Sequence, residues 1–286
     1  MENVAIESSV TYCFAPDNVV NGRYKIVKEL GRGGMGIVFL VEDTARDNEI
    51  VVLKVFQSEN ADKEVMEILR REFSILAAMR HPNLVCVYDL NKITGKNEYF
   101  FTMEFVKGVE FYKAIKELSL KEKLHLFSLL VQALDYIHAS GIFHGDIKSE
   151  NILVYQEMNG AYNLKLMDFG LAVREQEKIN TKAGGTLEYL APELFQHSPI
   201  NVKTDLYAVG VLMFWGLTGR APFSGNPDDI KNGHLKKVPA KINSVNPEIP
   251  PQISNVVSRL LAKDPLERYS TSEELLSAIG VDEYDL

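Results

Sequence analysis

His144-Gly145-Asp146-Ile147-Lys148-Ser149-Glu150-Asn151, followed after a stretch patterned as a hairpin by Asp168-Phe169-Gly170, is the part of the sequence whose reading decides the fold. Asp146 offers an acid–base group for a hydroxyl proton, and Lys148 a cation for a phosphate. Asn151 and Asp168 offer oxygen, the ligand that a hard cation such as magnesium prefers. Together these groups are the equipment of phosphoryl transfer, where most of the catalysis is positioning and charge neutralisation.

Working outward, Gly31-Arg32-Gly33-Gly34-Met35-Gly36-Ile37-Val38 reads as G-x-G-x-x-G-x-V. Glycines at 31, 33 and 36 let backbone N–H groups approach phosphate oxygens without a Cβ in the way. No G-K-[ST] completes a Walker loop; the lysine instead ends a separate strand, Val51-Val52-Leu53-Lys54. Glu72 lies on a predicted helix after it, and Gly185-Thr186-Leu187-Glu188-Tyr189-Leu190-Ala191-Pro192-Glu193 comes downstream of Asp168.

In this order and at this spacing the chain resembles the protein kinase family, and within it the bacterial Hanks-type serine/threonine kinases, from roughly Tyr24 to Gly280. The D-x-K-x-x-N form is similar to that of serine/threonine rather than tyrosine kinases. The resemblance implies an α+β, bilobal protein kinase-like fold. Its parts are a small lobe with a five-stranded antiparallel sheet, a larger and mainly helical lobe, and a cleft. The implied boundaries are an N-terminal extension over 1–21, a kinase domain over 22–280 and a short acidic tail over 281–286. Within the domain the N-lobe spans 22–104, the hinge 104–109 and the C-lobe 110–280.

The resemblance also implies roles. Asp146 accepts the substrate hydroxyl proton, and Lys148 neutralises the γ-phosphate. Lys54 pairs with the α- and β-phosphates and is itself held by a helix glutamate. Glu72 matches that position best, with Glu67 and Glu64 on the same helix as rivals. Asn151 and Asp168 hold Mg2+, with Mn2+ as an alternative. Gly31, Gly33 and Gly36 lie over the phosphates of ATP. Around the adenine, Leu30 and Val38 form a roof and Leu153 a floor, with Met103 as gatekeeper. Glu104 and Val106 give hinge backbone groups, and Glu110 is the ribose carboxylate. Val52 stands against the adenine where the family usually has alanine. Thr186 bridges Asp146 and Lys148, Glu193 pairs with Arg268, and Asp205 anchors the catalytic loop; Phe169 is a packing residue.

Gly145 departs from the pattern, because most kinases carry there an arginine that grips a phosphorylated activation loop. Thr181 as an autophosphorylation site would lack that arginine, so constitutive competence or control by a regulatory partner is expected. ATP and a protein with a Ser/Thr acceptor are the implied partners. Two other readings stand beside this one. A small-molecule kinase of the aminoglycoside phosphotransferase type shares the His-Gly-Asp wording, and a pseudokinase scaffold would bind without turnover.

Composition narrows the classes further. The 286 residues are 46% hydrophobic and 24% charged, with net charge −8, which suits an ordinary globular protein. No dense Lys/Arg stripe stands out, so no nucleic acid partner is expected. Cys13 and Cys86 have neither a disulfide framework nor metal-ligand spacing, which fits a reducing cytoplasm. The longest apolar run, Leu206 to Leu217, is about twelve residues, so no membrane segment is expected. The start lacks a signal peptide pattern, and further fused domains are allowed for. Strands are predicted over Tyr24–Leu30, Val38–Glu42, Ile50–Phe56, Leu84–Asn91 and Tyr99–Phe105, with a helix over Lys63–Met79. Beyond Glu110 helices dominate, around a hairpin at Ile152–Tyr155 and Asn163–Met167 turned by Asn159-Gly160. The later helices are placed at Val202–Gly216, Pro251–Ala262 and Thr271–Ala278.

Overall fold

A computed structural model of the protein describes residues 14–33, 36–56, 63–96, 98–174 and 186–280. Thr181, the acidic tail and residues 1–13 of the extension lie outside them, as does the side chain of Glu64. The chain divides into two compact units, one of residues up to Ala78 with Val85–Phe105, the other of Met79–Leu84 with Val106 onward.

The first unit is an antiparallel sheet rich in β-branched and aromatic residues. Its strands are β1 (Val19–Val20), β2 (Tyr24–Gly33), β3 (Gly36–Asp43), β4 (Glu49–Phe56), β5 (Val87–Lys92) and β6 (Tyr99–Glu104). They lie in the order β1-β2-β3-β4-β6-β5. One face buries Ile37, Phe39, Val41, Val51, Leu53, Val55 and Phe100 in a single core. Strand alternation then sends Val38, Leu40, Val52, Lys54 and Met103 to the opposite face. The ladder sets them in two rows there, Val38 beside Lys54 and Phe101, and Leu40 beside Val52 and Met103. Helix α1 (Lys63–Ala77) packs on that face through Phe73, whose ring lies 6.1 Å from Phe101.

Two details go beyond the sequence reading. The sheet has a sixth strand, β1, too short for a periodic signal, and β2 runs on through Gly33 because the ladder continues through Gly31–Val38 and Arg32–Ile37. The lead-in segment is also built into the core. Phe14 stacks on Phe39 at 5.0 Å, and the Asp17 and Ile26 N–H groups exchange hydrogen bonds with Ile26 and Asn18 carbonyls at 2.9 and 2.8 Å.

The second unit is mainly helical. A short strand β7 (Val109–Glu110) leads into α2 (Phe111–Ile115) and α3 (Leu120–Ala139). A capping box of Ser119 and Glu122 starts α3, which buries Leu126, Leu130, Leu134 and Ile137. Strand β8 (Ile142–Phe143) precedes the segment 144–151, and β9 (Ile152–Gln156) with β10 (Tyr162–Leu166) makes the expected hairpin. Strand β11 (Val173–Arg174) pairs back on β8. Helix α4 (Val202–Thr218) is apolar on nearly all sides and correspondingly buried. Helices α5 (Pro227–Lys236), α6 (Ile242–Val245), α7 (Pro251–Leu260) and α8 (Ser272–Ile279) complete the unit.

Leu84 does not begin β5; it makes an isolated parallel bridge to Leu166, while Asn83 donates Nδ2 to Asn163 Oδ1 at 2.7 Å. The bridge and the Asn83 side chain tie residues 79–84 into the second unit. Helix α5 escaped the sequence reading because its apolar face is thin. Its start was nonetheless written in Asn226 as N-cap, Pro227 at the first helical position and Asp228-Asp229 in the first turn. No helix among the described residues is long and apolar enough to cross a membrane.

Phe14→Ala should lower the stability of the first unit by about 3 kcal/mol, as expected for truncating a buried aromatic ring. A urea unfolding midpoint read from a first-unit probe checks this; an unchanged midpoint would mean that the lead-in is not part of the core.

Candidate active site

In the first unit the sheet carries a lysine on its α1 face. Lys54 Nζ lies 3.1 Å from Glu72 Oε1, with Glu72 only 2% exposed, and the ammonium also sits 5.1 Å from the centre of the Phe56 ring. Of the three candidate glutamates, Glu72 is thus an ion-pair partner of the lysine. Gly36 has φ +136°, and a Cβ there would stand 1.9 Å from the Val55 carbonyl oxygen, so the hairpin needs glycine at that point. Gly31 and Gly33 have nothing within 4 Å of where a Cβ would be. Their backbone is open to an approaching group. Leu30 is exposed, Val38 and Met103 are half-buried and Val52 is buried. Glu104 folds its carboxylate back onto the Cys86 N–H at 2.7 Å.

In the second unit the segment 144–151 is held by one carboxylate. Asp205, in the first turn of α4, accepts the His144 and Gly145 backbone N–H groups at 2.8 Å each and meets His138 Nε2 at 2.8 Å. Burial alone would push its carboxyl up. The hydrogen bond and charge of His138, with the loop amide, outweigh that and hold it below the usual range. Burial pushes the His144 imidazole down, so the ring is neutral. It accepts from the Asp146 N–H at Nδ1, 3.3 Å away, and donates from Nε2 to the Met167 carbonyl at 3.3 Å. Gly145 has φ +76°, and a Cβ would stand 2.8 Å from Ile200 Cδ1 and 3.0 Å from the Leu171 carbonyl oxygen.

Above this support the polar groups converge. Lys148 Nζ lies 2.6 Å from Asp146 Oδ2. Asn151 donates Nδ2 to the Asp146 carbonyl at 2.8 Å and to Asp146 Oδ2 at 3.0 Å, leaving its amide oxygen as the ligand it presents elsewhere. The Met167 N–H donates to the Asn151 carbonyl at 2.9 Å, which fixes the chain just before Asp168. Asp168 takes the left-handed conformation at φ +65°, uncommon for a side chain other than glycine, and accepts the Gly170 N–H at 3.3 Å. Phe169 is buried, its ring 4.6 Å from that of His144.

Glu110 is half-buried and accepts the Ser149 hydroxyl at 2.9 Å. The Val106 carbonyl accepts the Gly108 N–H at 2.9 Å, and Leu153 points to the half-exposed side of β9 between buried Ile152 and Val154. Glu193 and Arg268 form a bidentate pair at 2.7 and 2.8 Å, with the guanidinium fully buried. Thr186 lines a pocket with Asp146, Tyr189 and Leu190. The sequence reading missed Ser149 and the stack of Tyr112 on Trp215, 3.5 Å between centroids. A serine between Lys148 and Glu150 was visible; what it touches was not.

These residues fit a nucleotide and magnesium. The open glycine backbone suits phosphate, and no cluster of three His, Cys, Asp or Glu among the described residues forms a closed metal cage. Asn151 and Asp168 instead offer two oxygen side chains, the number magnesium takes when phosphate and water supply the rest.

Comparison with known proteins points the same way. The family described as "Protein kinase domain" matches residues 24–278. The serine/threonine-protein kinase PrkC of Bacillus subtilis is 34% identical over 264 residues, which cover 90% of this chain and 40% of that protein. The probable serine/threonine-protein kinase PknB of Lactococcus lactis is 34% identical over 267 residues, 90% of this chain and 42% of that protein. PknE of Mycobacterium tuberculosis is 30% identical over 263 residues, 90% of this chain and 45% of its own. The chain spans less than half the length of these relatives.

Asp205→Ala strands three donors at once and should lower stability by about 3 kcal/mol or more, read from the urea midpoint of the second unit. Acidification should act through buried histidine. Burial and the Lys263 charge push His234 down to about 4, while Tyr207 Oη lies 2.8 Å from its Nδ1. The unfolded chain therefore binds the extra proton first as pH falls below about 6.5. Stability is full above that range and is lost on the way down toward about 4. Between about pH 7 and about pH 5 the loss should be about 2 kcal/mol from this group. A flat stability profile over that window would contradict a neutral buried His234.

Proposed function

The chain belongs to the protein kinase family, and from that premise we propose that it transfers the γ-phosphoryl group of ATP to Ser/Thr hydroxyls of protein substrates. The observation that carries this is the gathering of Lys148 and Asn151, at 2.6 and 3.0 Å, on Asp146 Oδ2, in a loop pinned by Asp205. Magnesium, when bound, neutralises phosphate charge as it shifts to the leaving oxygen. Asn151 and Asp168 hold it. Lys54, kept in place by Glu72, binds the α- and β-phosphates, and the fixed pair reduces the rotamer entropy lost on each docking.

Asp146 accepts the proton of the attacking hydroxyl at a carboxylate oxygen. Lys148, on the same carboxylate in the absence of substrate, turns its charge to the γ-phosphate, with the Thr186 hydroxyl bridging the two. Gly31, Gly33 and Gly36 lay backbone N–H groups along the phosphates. For the adenine the first unit offers Leu30, Val38, Val52, Met103 and the Glu104 backbone, and the second offers Leu153 and the Val106 backbone, with Glu110 for the ribose. The Glu193–Arg268 pair supports a peptide rather than a small-molecule acceptor, because it anchors the segment from Thr186 that would carry a polypeptide. With Gly145 in place of arginine, the loop is competent without phosphate on the activation segment.

Incubation with Mg-ATP and a generic basic acceptor, beside Asp146→Asn, tests the reaction. Phosphoserine or phosphothreonine should form, and the variant should lose about 10²–10⁴ in rate. Nucleotide binding without transfer would sink the enzyme reading in favour of a scaffold. Prior phosphatase treatment should leave the rate unchanged within about twofold, since no arginine grip is there to be lost; a large drop would show loop control after all.

A further inference from the structure

Glu110 stands at the N-cap of α2, yet its side chain caps nothing in that helix. The capping is done by Ser149 of the catalytic loop, which is fully buried and accepts the Tyr112 N–H at 2.9 Å. With that lone pair engaged, the single hydroxyl proton of Ser149 goes to Glu110 Oε1, 2.9 Å away. The carboxylate is therefore oriented by a group that cannot turn. Among the described residues its other oxygen meets Lys113, at 3.2 Å, whose side chain is 72% exposed and so adds little to holding it.

We infer that Ser149 is a positioning residue for sugar recognition: it fixes the Glu110 carboxylate so that one oxygen accepts the ribose hydroxyls of the nucleotide. The inference rests on the kinase reading above. It adds a mechanical link, because Ser149 directly follows Lys148 and shares a short helical turn with Asn151. The groups for phosphate, metal and ribose are thus placed by one rigid stretch of chain.

Binding of ATP and of 2′-deoxy-ATP to the full chain, by calorimetry, provides the test. The wild type should prefer ATP about tenfold, the size of a hydrogen bond to a charged group. In Ser149→Ala the ratio should fall toward one, mostly through weaker ATP binding. Ser149→Cys, which keeps the size and weakens the donor, should fall in between. Lys113→Ala should keep the wild-type ratio. Because both nucleotides are measured on one preparation, a lower folded fraction cancels, and a purely structural role for Ser149 leaves the ratio where it was. A wild-type ratio retained in Ser149→Ala overturns the inference, and so does a wild type indifferent to the 2′-hydroxyl. A wild type that binds neither nucleotide overturns the kinase reading itself.

Discussion

One buried carboxylate organises the second unit. Asp205 brings α4, the end of α3 through His138, and the backbone of the catalytic loop to a single pair of oxygens. An isolated charge in that position would be strongly disfavoured; three donors turn it into an anchor. Everything above it inherits its precision. The neutral His144 ring links loop to hairpin, Asn151 and Lys148 gather on Asp146, and Phe169 packs on the same imidazole. Two residues of this arrangement, Gly145 and Asp168, take the left-handed conformation.

The first unit solves a similar problem by alternation. A strand period of two sorts residues so that a hydrophobic face builds the core while the other carries Lys54, Val52, Val38 and Met103. A slip of one residue would turn the lysine into the apolar core and move Leu53 to the α1 face. Aromatic rings around Lys54 and the Glu72 carboxylate keep the cation in place without leaving it to water.

Much of this was legible beforehand, for identifiable reasons. The long apolar stretch gave α4 to within a few residues, and the β9–β10 hairpin followed from Asn159-Gly160. Polar residues with strong chemistry, such as Lys54, Asp146 and Asp168, announced themselves by type and spacing. What stayed hidden depends on partners distant in sequence. Phe14 gains its role from Phe39, a residue far along the chain on which it stacks. Helix α5 lacks a clear apolar stripe, and Ser149 reads as a neutral filler until Glu110 and Tyr112 are found on its hydroxyl. Local propensity cannot report such contacts.

The packing at Gly145 bears on how this chain could evolve. Arginine at that position would have to adopt a left-handed backbone, and its Cβ would press on Ile200 and on the Leu171 carbonyl. Selection favouring arginine here would work against backbone strain as well as against the Ile200 side chain in its path, whereas glycine fits the turn as it stands.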